Sequence, residues 1–342
     1  MKMQGSKRAV LAVILLMLTT VFAACSDKSN NSQSSDTAQA SGSAGDTSPK
    51  KTYKIGFANL TEDVAFPVDV RKGIERVAKE KGVKLVLADN KLDGATALSN
   101  AENFITQQVD GVIEFQIDEK FGNVIMDKFR AANIPVIAID IPMPGATFFG
   151  ADNYKAGSLT GEALGNAIKD KFGGSIDKFI MLELPQSGPI PAARMQGARD
   201  GVEKIIGKIP EEKVLHLDSK NTLEEARRVM NDVLQTIPKG QKMGIVTIND
   251  DVSRGAVNAL QAAGRESDAL IGSQGADANG RPEIMREGTP VVGTTAYFPE
   301  KYGEYLIPAI LDLIEGKPVP ASIFMKHEFI TKDNMKQFYP NG

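Results

Sequence analysis

The sequence has no tryptophan, a single cysteine (Cys25) and only two histidines, His216 and His327. One cysteine excludes an intrachain disulfide and a paired-cysteine metal site. Two histidines, neither in a His-Glu-x-x-His arrangement, offer little to a zinc centre or an acid–base triad. His216 alternates with Leu215 and Leu217 and reads as a core or face residue of a strand; His327 stands on the last strand without an evident partner. Gly-x-Ser-x-Gly, phosphate-loop and dinucleotide fingerprints are missing as well. So is any excess of basic charge. The formal net charge is −3, and taking away Lys2, Lys7 and Arg8 brings it to −6. Such a chain offers no basic nucleic-acid surface. The N-terminal uncharged stretch AVLAVILLMLTTVFAA has sixteen residues, short of the ~20 that span a bilayer as a helix.

That stretch follows three basic residues and ends in small ones, the layout of a secretory signal. Cys25 comes directly after VFAA. The segment resembles a bacterial lipoprotein signal, in which the cysteine becomes the lipid-bearing first residue. Phe22 departs from that pattern, where leucine is preferred; an ordinary secretory cut after Ala23 is the alternative. Beyond Cys25, the Ser, Asn, Asp, Gln, Gly and Thr of 26–51 cannot bury enough surface to offset ordering entropy. The expectation is therefore a signal peptide over 1–24, a lipid-anchored flexible linker over 25–51, and a folded body from 52.

The body alternates strand and helix patterns. Strands are expected at 53–60, 84–90, 111–116, 135–140 and 147–153, then at 178–184, 213–219, 243–249, 269–275, 291–298 and 322–330. Val70, Ile74 and Val77 mark one helical face; Leu98, Ala101 and Ile105 a second; Ile125, Phe129 and Ala132 a third. Thr222 and Glu225 form a capping-box pattern. Apolar strands alternating with helices argue for an α/β fold with parallel sheets covered on both faces. Two runs of such units point to two sheets; one large barrel is the rival.

In open α/β sheets, ligands bind beyond the carboxyl ends of the strands. In IPVIAIDIPMP (134–144), a carboxylate, Asp140, closes an apolar strand. Asn59, Glu62, Asp63, Phe66, Gln116, Asp152, Asn153, Asp218, Asn249, Asp250, Asp251, Gln274 and Tyr297 stand at or after other strand ends. Amides both donate and accept, carboxylates accept, and arginine donates in a fixed fork, a set suited to a ligand with many hydroxyls. An aromatic ring can lie against the C–H face of a sugar. Each polar residue alone also reads as a helix cap or turn former. Asp250 and Asp251 read as a helix start favoured by its dipole before they read as a metal site.

The segments KIGFANL, FPVDVRKGIERVAKEKGVKLVLADN, ANIPVIAID, GADNYKAGSLTGEAL, PAARMQGARDGV, IVTINDDVSRGAVNALQAAG and GTTAYFPEKYGEYLIPAILDLIEGKPV occur in order. Together they resemble the periplasmic sugar-binding proteins of the ribose/galactose-binding type. The resemblance covers residues 53–330 and implies the type I periplasmic binding protein fold: two Rossmann-like lobes with parallel sheets, joined by a three-crossing hinge, with the ligand between them. The crossings are expected near 151–153, 297–299 and 322–327. Lobe one would comprise 52–152 plus 299–323, and lobe two 153–298 plus 324–342. By position, Phe66 matches a ring that stacks on the sugar, Asp140 the aspartate that accepts from sugar hydroxyls, and Arg194 the arginine that reaches the ring oxygen. Asn249 matches an asparagine of the second lobe. Gln116 stands where the family often has asparagine, Gln274 where it has aspartate, and Tyr297 where it has glutamine or asparagine. Asp63 joins the candidates, although its loop (TEDVAFP) is longer than in ribose binders. Ile141 follows Asp140 where ribose binders carry a second arginine.

The resemblance implies a monomeric, extracytoplasmic substrate-binding protein of an ABC transporter, held at the membrane through a lipid on Cys25. It would deliver a sugar to a permease without cofactor, metal, nucleic acid or catalysis. Three rivals stand beside it: an enzyme, the same fold holding a polyol, nucleoside or furanosyl signal for a membrane sensor, and the effector module of a repressor. The last lacks a DNA-binding helix pair ahead of the body; a signal and tether stand there.

Overall fold

The computed structural model describes residues 52–340. The expected signal peptide (1–24), the linker (25–51) and Cys25 lie outside the described residues. The chain begins with β1 (Lys54–Asn59), α1 (Ala65–Lys81), β2 (Lys84–Asp89), α2 (Gly94–Thr106), β3 (Gly111–Glu114), α3 (Gly122–Ala131), β4 (Val136–Ile139) and β5 (Thr147–Gly150). It continues through α4 (Asn153–Phe172), β6 (Lys178–Glu183), α5 (Pro189–Ile206), β7 (Val214–Asp218), α6 (Leu223–Leu234), β8 (Met243–Thr247), α7 (Asp250–Ala263), β9 (Ala269–Gly275), α8 (Gly280–Met285) and β10 (Val291–Ala296). It closes with α9 (Tyr302–Ile314), β11 (Ser322–Phe324), β12 (Glu328–Ile330) and α10 (Met335–Phe338).

These strands make two six-stranded sheets and not a barrel. The first runs β11-β5-β4-β3-β1-β2 and is parallel throughout. The second runs β12-β10-β9-β8-β6-β7 and is parallel except for β12. Neighbouring residues of the first sheet face different cores: Phe57, Ile113 and Ile137 pack into one, Ala58, Val112 and Ala138 into another. A strand buried on both faces must be apolar at every position, which is why the central strands read as runs without alternation.

Helical faces follow the spacing with one shift. Val70, Ile74 and Val77 are buried on α1, and Ile125 and Phe129 on α3, where Ala132 is only the half-buried cap. On α2 the buried face is Ala97, Ala101 and Phe104; the large Phe104 ring takes the core and leaves Leu98 and Ile105 half-buried beside it. Helix α5 starts with Pro189 and Pro191 in its first turn, where the missing N–H groups have no intrahelical partner to lose. Thr222 caps α6 by accepting from the Glu225 N–H, but the Glu225 side chain turns to Arg228 and the capping box is half made.

The expected single strand over 322–330 is two strands in two sheets. Ser322–Phe324 pairs with β5, and Glu328–Ile330 pairs antiparallel with β10. Phe324, expected beyond the boundary at 323, pairs with Gly150 in the first sheet. The chain thus passes between the sheets three times: after β5, between β10 and β11, and between β11 and β12. His327 lies in the third passage and not on a strand, and it is partnered on several sides. Its Nε2 accepts from the Asp152 N–H (3.1 Å), Nδ1 lies 3.3 Å from the Ala296 carbonyl oxygen, and its ring meets Tyr297 edge-on at 5.0 Å. An accepting Nε2 assigns the proton to Nδ1, which donates to Ala296. Burial lowers the imidazole to about 4, holding it neutral in that tautomer. His216 sits exposed on β7, beside Glu183.

Candidate functional site

Asp140 is built by the turn that ends β4. Its N–H donates to the Phe149 carbonyl oxygen (2.9 Å), and the Ile141 N–H donates back to Ile139 (2.7 Å). Asp140 is therefore the tip of a three-residue turn, with φ 59° in the left-handed region. Backbone held there costs about 1–3 kcal/mol and persists where its surroundings over-determine it. Gly150 on β5 is part of those surroundings: a Cβ there would stand 2.6 Å from Asp140 Oδ1. That Oδ1 is buried without a hydrogen-bond partner. Burial pushes the carboxyl up to about 6, against the pull of the Arg194 guanidinium and the Ala151 N–H.

Arg194 comes from α5, which lies almost on the backbone of α4: a Cβ on Gly157 would stand 1.9 Å from the Arg194 carbonyl oxygen. The guanidinium is buried and held three ways. Nε donates to Asn153 Oδ1 (3.0 Å), Nη1 donates to the Ile248 carbonyl oxygen (2.8 Å), and the group lies 4.7 Å from the Tyr297 ring centre. Tyr297 donates its hydroxyl to Gln274 Oε1 (2.7 Å), and Gln274 Nε2 donates to Thr160 Oγ1 (2.9 Å). Asn249 is the cap of α7: Oδ1 accepts from the Val252 N–H and Nδ2 donates to Asn221 Oδ1, both at 2.8 Å.

Two residues complete the set from the first sheet's side. Phe66, in the first turn of α1, is buried and meets Tyr297 edge-on at 6.1 Å. Gln116, just past β3, accepts from the Asp118 N–H through Oε1 (2.6 Å), while its Nε2 is buried without a partner.

These seven residues line one cavity of about 70 Å³ at the carboxyl ends of both sheets. Asp63 does not line it. Its N–H donates to Thr61 Oγ1 (3.2 Å) in the turn before α1, its side chain is exposed, and Leu60 and Val64 occupy that part of the wall. Sequence reasoning missed Asn221, which follows the end of β7 by three residues. Strand-end logic reaches that loop but stops at Asp218, which pairs with Lys220 instead. Thr160, the partner of Gln274, lies inside α4 and carries no strand-end signal, while Asn153, the strand-end residue that opens α4, serves as the partner of Arg194.

Asp250 and Asp251 do more than start α7. Asp250 accepts from the Ser273 and Thr294 hydroxyls and from the Asp277 N–H. Asp251 Oδ2 accepts from the Ala65 N–H of α1 (3.3 Å), and Asp69 of α1 accepts from the Ala278 N–H in return (3.1 Å). Carboxylates on the two sides of the cavity thus each engage backbone of the other. Among the described residues no group of three His, Cys, Asp or Glu side chains is arranged to hold a metal ion, and no helix is long and apolar enough to cross a membrane.

Comparison with known proteins places this geometry. The ribose import binding protein RbsB of Bacillus subtilis is 27% identical over 281 residues, covering 80% of this chain and 86% of the relative. A xylitol-binding protein of Mycolicibacterium smegmatis is 25% identical over 236 residues, covering 68% of this chain and 65% of the relative. Among solved structures, an ABC transporter solute-binding protein from Bacillus halodurans with bound myo-inositol superposes with a TM-score of 0.73 at 21% identity, covering 84% of this chain and 98% of that one. The profile of the periplasmic binding protein domain matches residues 55–318, so the chain belongs to the periplasmic binding protein family, with its type I fold of two mostly parallel sheets.

Proposed function

We propose that this protein captures a sugar or sugar-like polyol in the cavity between the two sheets, outside the cytoplasm, and delivers it to the permease of an ABC transporter. The observation that carries the reading is the convergence of Phe66, Gln116, Asp140, Arg194, Asn249, Gln274 and Tyr297 on one cavity, with Asp140 Oδ1 and Gln116 Nε2 buried and unpaired. An unpaired buried acceptor and an unpaired buried donor on one cavity are each costly alone, and ligand hydroxyls can satisfy both. Asp140 accepts from ligand hydroxyls, Gln116 and Arg194 donate, and Phe66 packs on the C–H face. Relatives named for ribose and xylitol, and a neighbour holding myo-inositol, support a polyhydroxylated ligand.

In this reading residues 52–152 with 299–324, and 153–298 with 325–340, are two lobes that turn about the three passages, and ligand favours the closed arrangement. The protein acts as a monomer, by capture and not catalysis, tethered through a lipid on Cys25. A thermal-shift screen of pentoses, hexoses and polyols tests the ligand class. At 100 times its dissociation constant a ligand stabilises by ~2.7 kcal/mol. Stabilisation by no sugar or polyol, but by another class of solute, overturns the reading.

A further inference from the structure

We infer that the cavity selects a sugar or polyol with an apolar portion, a deoxy or methyl-bearing member in preference to its fully hydroxylated counterpart. This rests on the function just proposed and narrows it.

The hydrogen-bonding inventory is the first reason. A fully hydroxylated ring needs partners on every side. Around this cavity most polar atoms are already engaged with one another. Gln274 uses both ends of its amide, on Thr160 and Tyr297. Asn249 uses both of its ends, on Val252 and Asn221. Arg194 has Nε on Asn153, Nη1 on Ile248 and its face on Tyr297, which leaves Nη2, like Asn221 Nδ2, without a protein acceptor. Second hydrogens and lone pairs remain on these groups, in directions the existing bonds fix. The side-chain atoms that line the cavity, lie buried and have no partner are Asp140 Oδ1 and Gln116 Nε2. Both belong to the first sheet's side.

The rest of the wall is the second reason. Ten of the nineteen lining residues are apolar, Leu60, Val64, Phe115, Ile117, Ile141 and Leu184 among them. A hydroxyl facing them gives up water and gains no partner. A methyl or methylene in its place gains contact. Ile141, directly after Asp140, puts an apolar residue beside the acceptor. The ligand edge that meets Asp140, Gln116, Arg194 Nη2 and Asn221 Nδ2 is thus polar, and the part that faces Leu60, Val64, Ile117, Ile141 and Leu184 meets hydrocarbon. One group of that size in an apolar pocket is worth about 10- to 200-fold in affinity.

Titration calorimetry on the full chain tests this with pairs differing by one hydroxyl: D-ribose and 5-deoxy-D-ribose, D-galactose and D-fucose, D-mannose and D-rhamnose, xylitol and 1-deoxyxylitol. The expected result is a deoxy member that binds about 10-fold or more tightly than its partner. Ile141→Thr, which puts a hydroxyl on the wall, is expected to narrow that ratio, with circular dichroism and the melting midpoint confirming that the variant folds. Hydroxylated members that bind as well as or better than their deoxy partners in every pair overturn this inference and leave the proposed function standing. Binding of no sugar or polyol at all overturns the proposed function, and the inference with it.

Discussion

The two sides of the cavity are made differently. From the first sheet come nine lining residues, seven of them apolar, with Asp140 and Gln116 each presenting an unpaired buried atom. From the second come ten, the polar Ser187, Arg194, Asn221, Asn249, Gln274 and Tyr297, most of them tied to neighbours, beside Leu184, Pro191, Ile248 and Gly275. The second side is prearranged: its polar groups are fixed before any ligand arrives, which lowers the ordering cost of binding. The first side is unsatisfied, and a ligand changes it most. The lesson is that a polar residue in a cavity wall is not thereby a contact; its remaining valence decides.

Replacing Arg194 by alanine breaks the prearranged side and has the largest expected effect. It strands the Asn153 and Ile248 oxygens and removes the positive field acting on Asp140. Loss of about 3 kcal/mol in urea denaturation and of more than about 100-fold in calorimetric affinity is expected. Asp140→Asn acts on the unsatisfied side. Affinity is expected to fall by about 1.5–3 kcal/mol, the worth of a charged hydrogen bond, while the ligand-free protein becomes more stable at pH 7, because a carboxyl raised to about 6 disfavours folding once ionised.

The pH dependence separates those two effects. With the folded carboxyl near 6 and its ordinary value 3.8, the Asp140 contribution to stability is full below the ordinary value and is lost as pH rises through about 6. Ligand affinity runs the other way and weakens as pH falls below about 6, since the acceptor is then protonated. Calorimetry and melting curves from pH 5 to 8 check both slopes; slopes of equal sign would contradict the assignment. Thr160→Val removes the hydroxyl under Gln274 and Thr295. It is expected to cost about 1 kcal/mol of stability and only a few-fold in affinity, because Thr160 acts through Gln274. Asp63→Ala is expected to change stability by less than about 0.5 kcal/mol and leave affinity unchanged; a drop in affinity would return Asp63 to the site.

Much of the fold was legible because apolar runs and helical faces are dictated by burial. What the sequence hid was set by neighbours far along the chain. Alternation alone cannot tell that 322–330 breaks into strands of two sheets, since pairing with Gly150 or with Thr294 and Ala296 is decided by residues far away along the chain. Strand-end position and, for Arg194, the family resemblance pointed to seven candidates that line one cavity, but could not reveal that Asn249 is held by Asn221 and Gln274 by Thr160. Asp63 failed for a local reason: the turn before α1 carries it outward and leaves Val64 on the wall.

His327 has a mechanical consequence. Three independent connections would let the sheets slide and shear as well as turn, each strand flexing at its own place. A single imidazole touching Asp152, Ala296 and Tyr297 gathers the three into one bearing. Tyr297 lies both against that bearing and in the cavity wall. Under the function proposed above, a ligand held against Tyr297 would rest beside that bearing, where a turn about it displaces the cargo least.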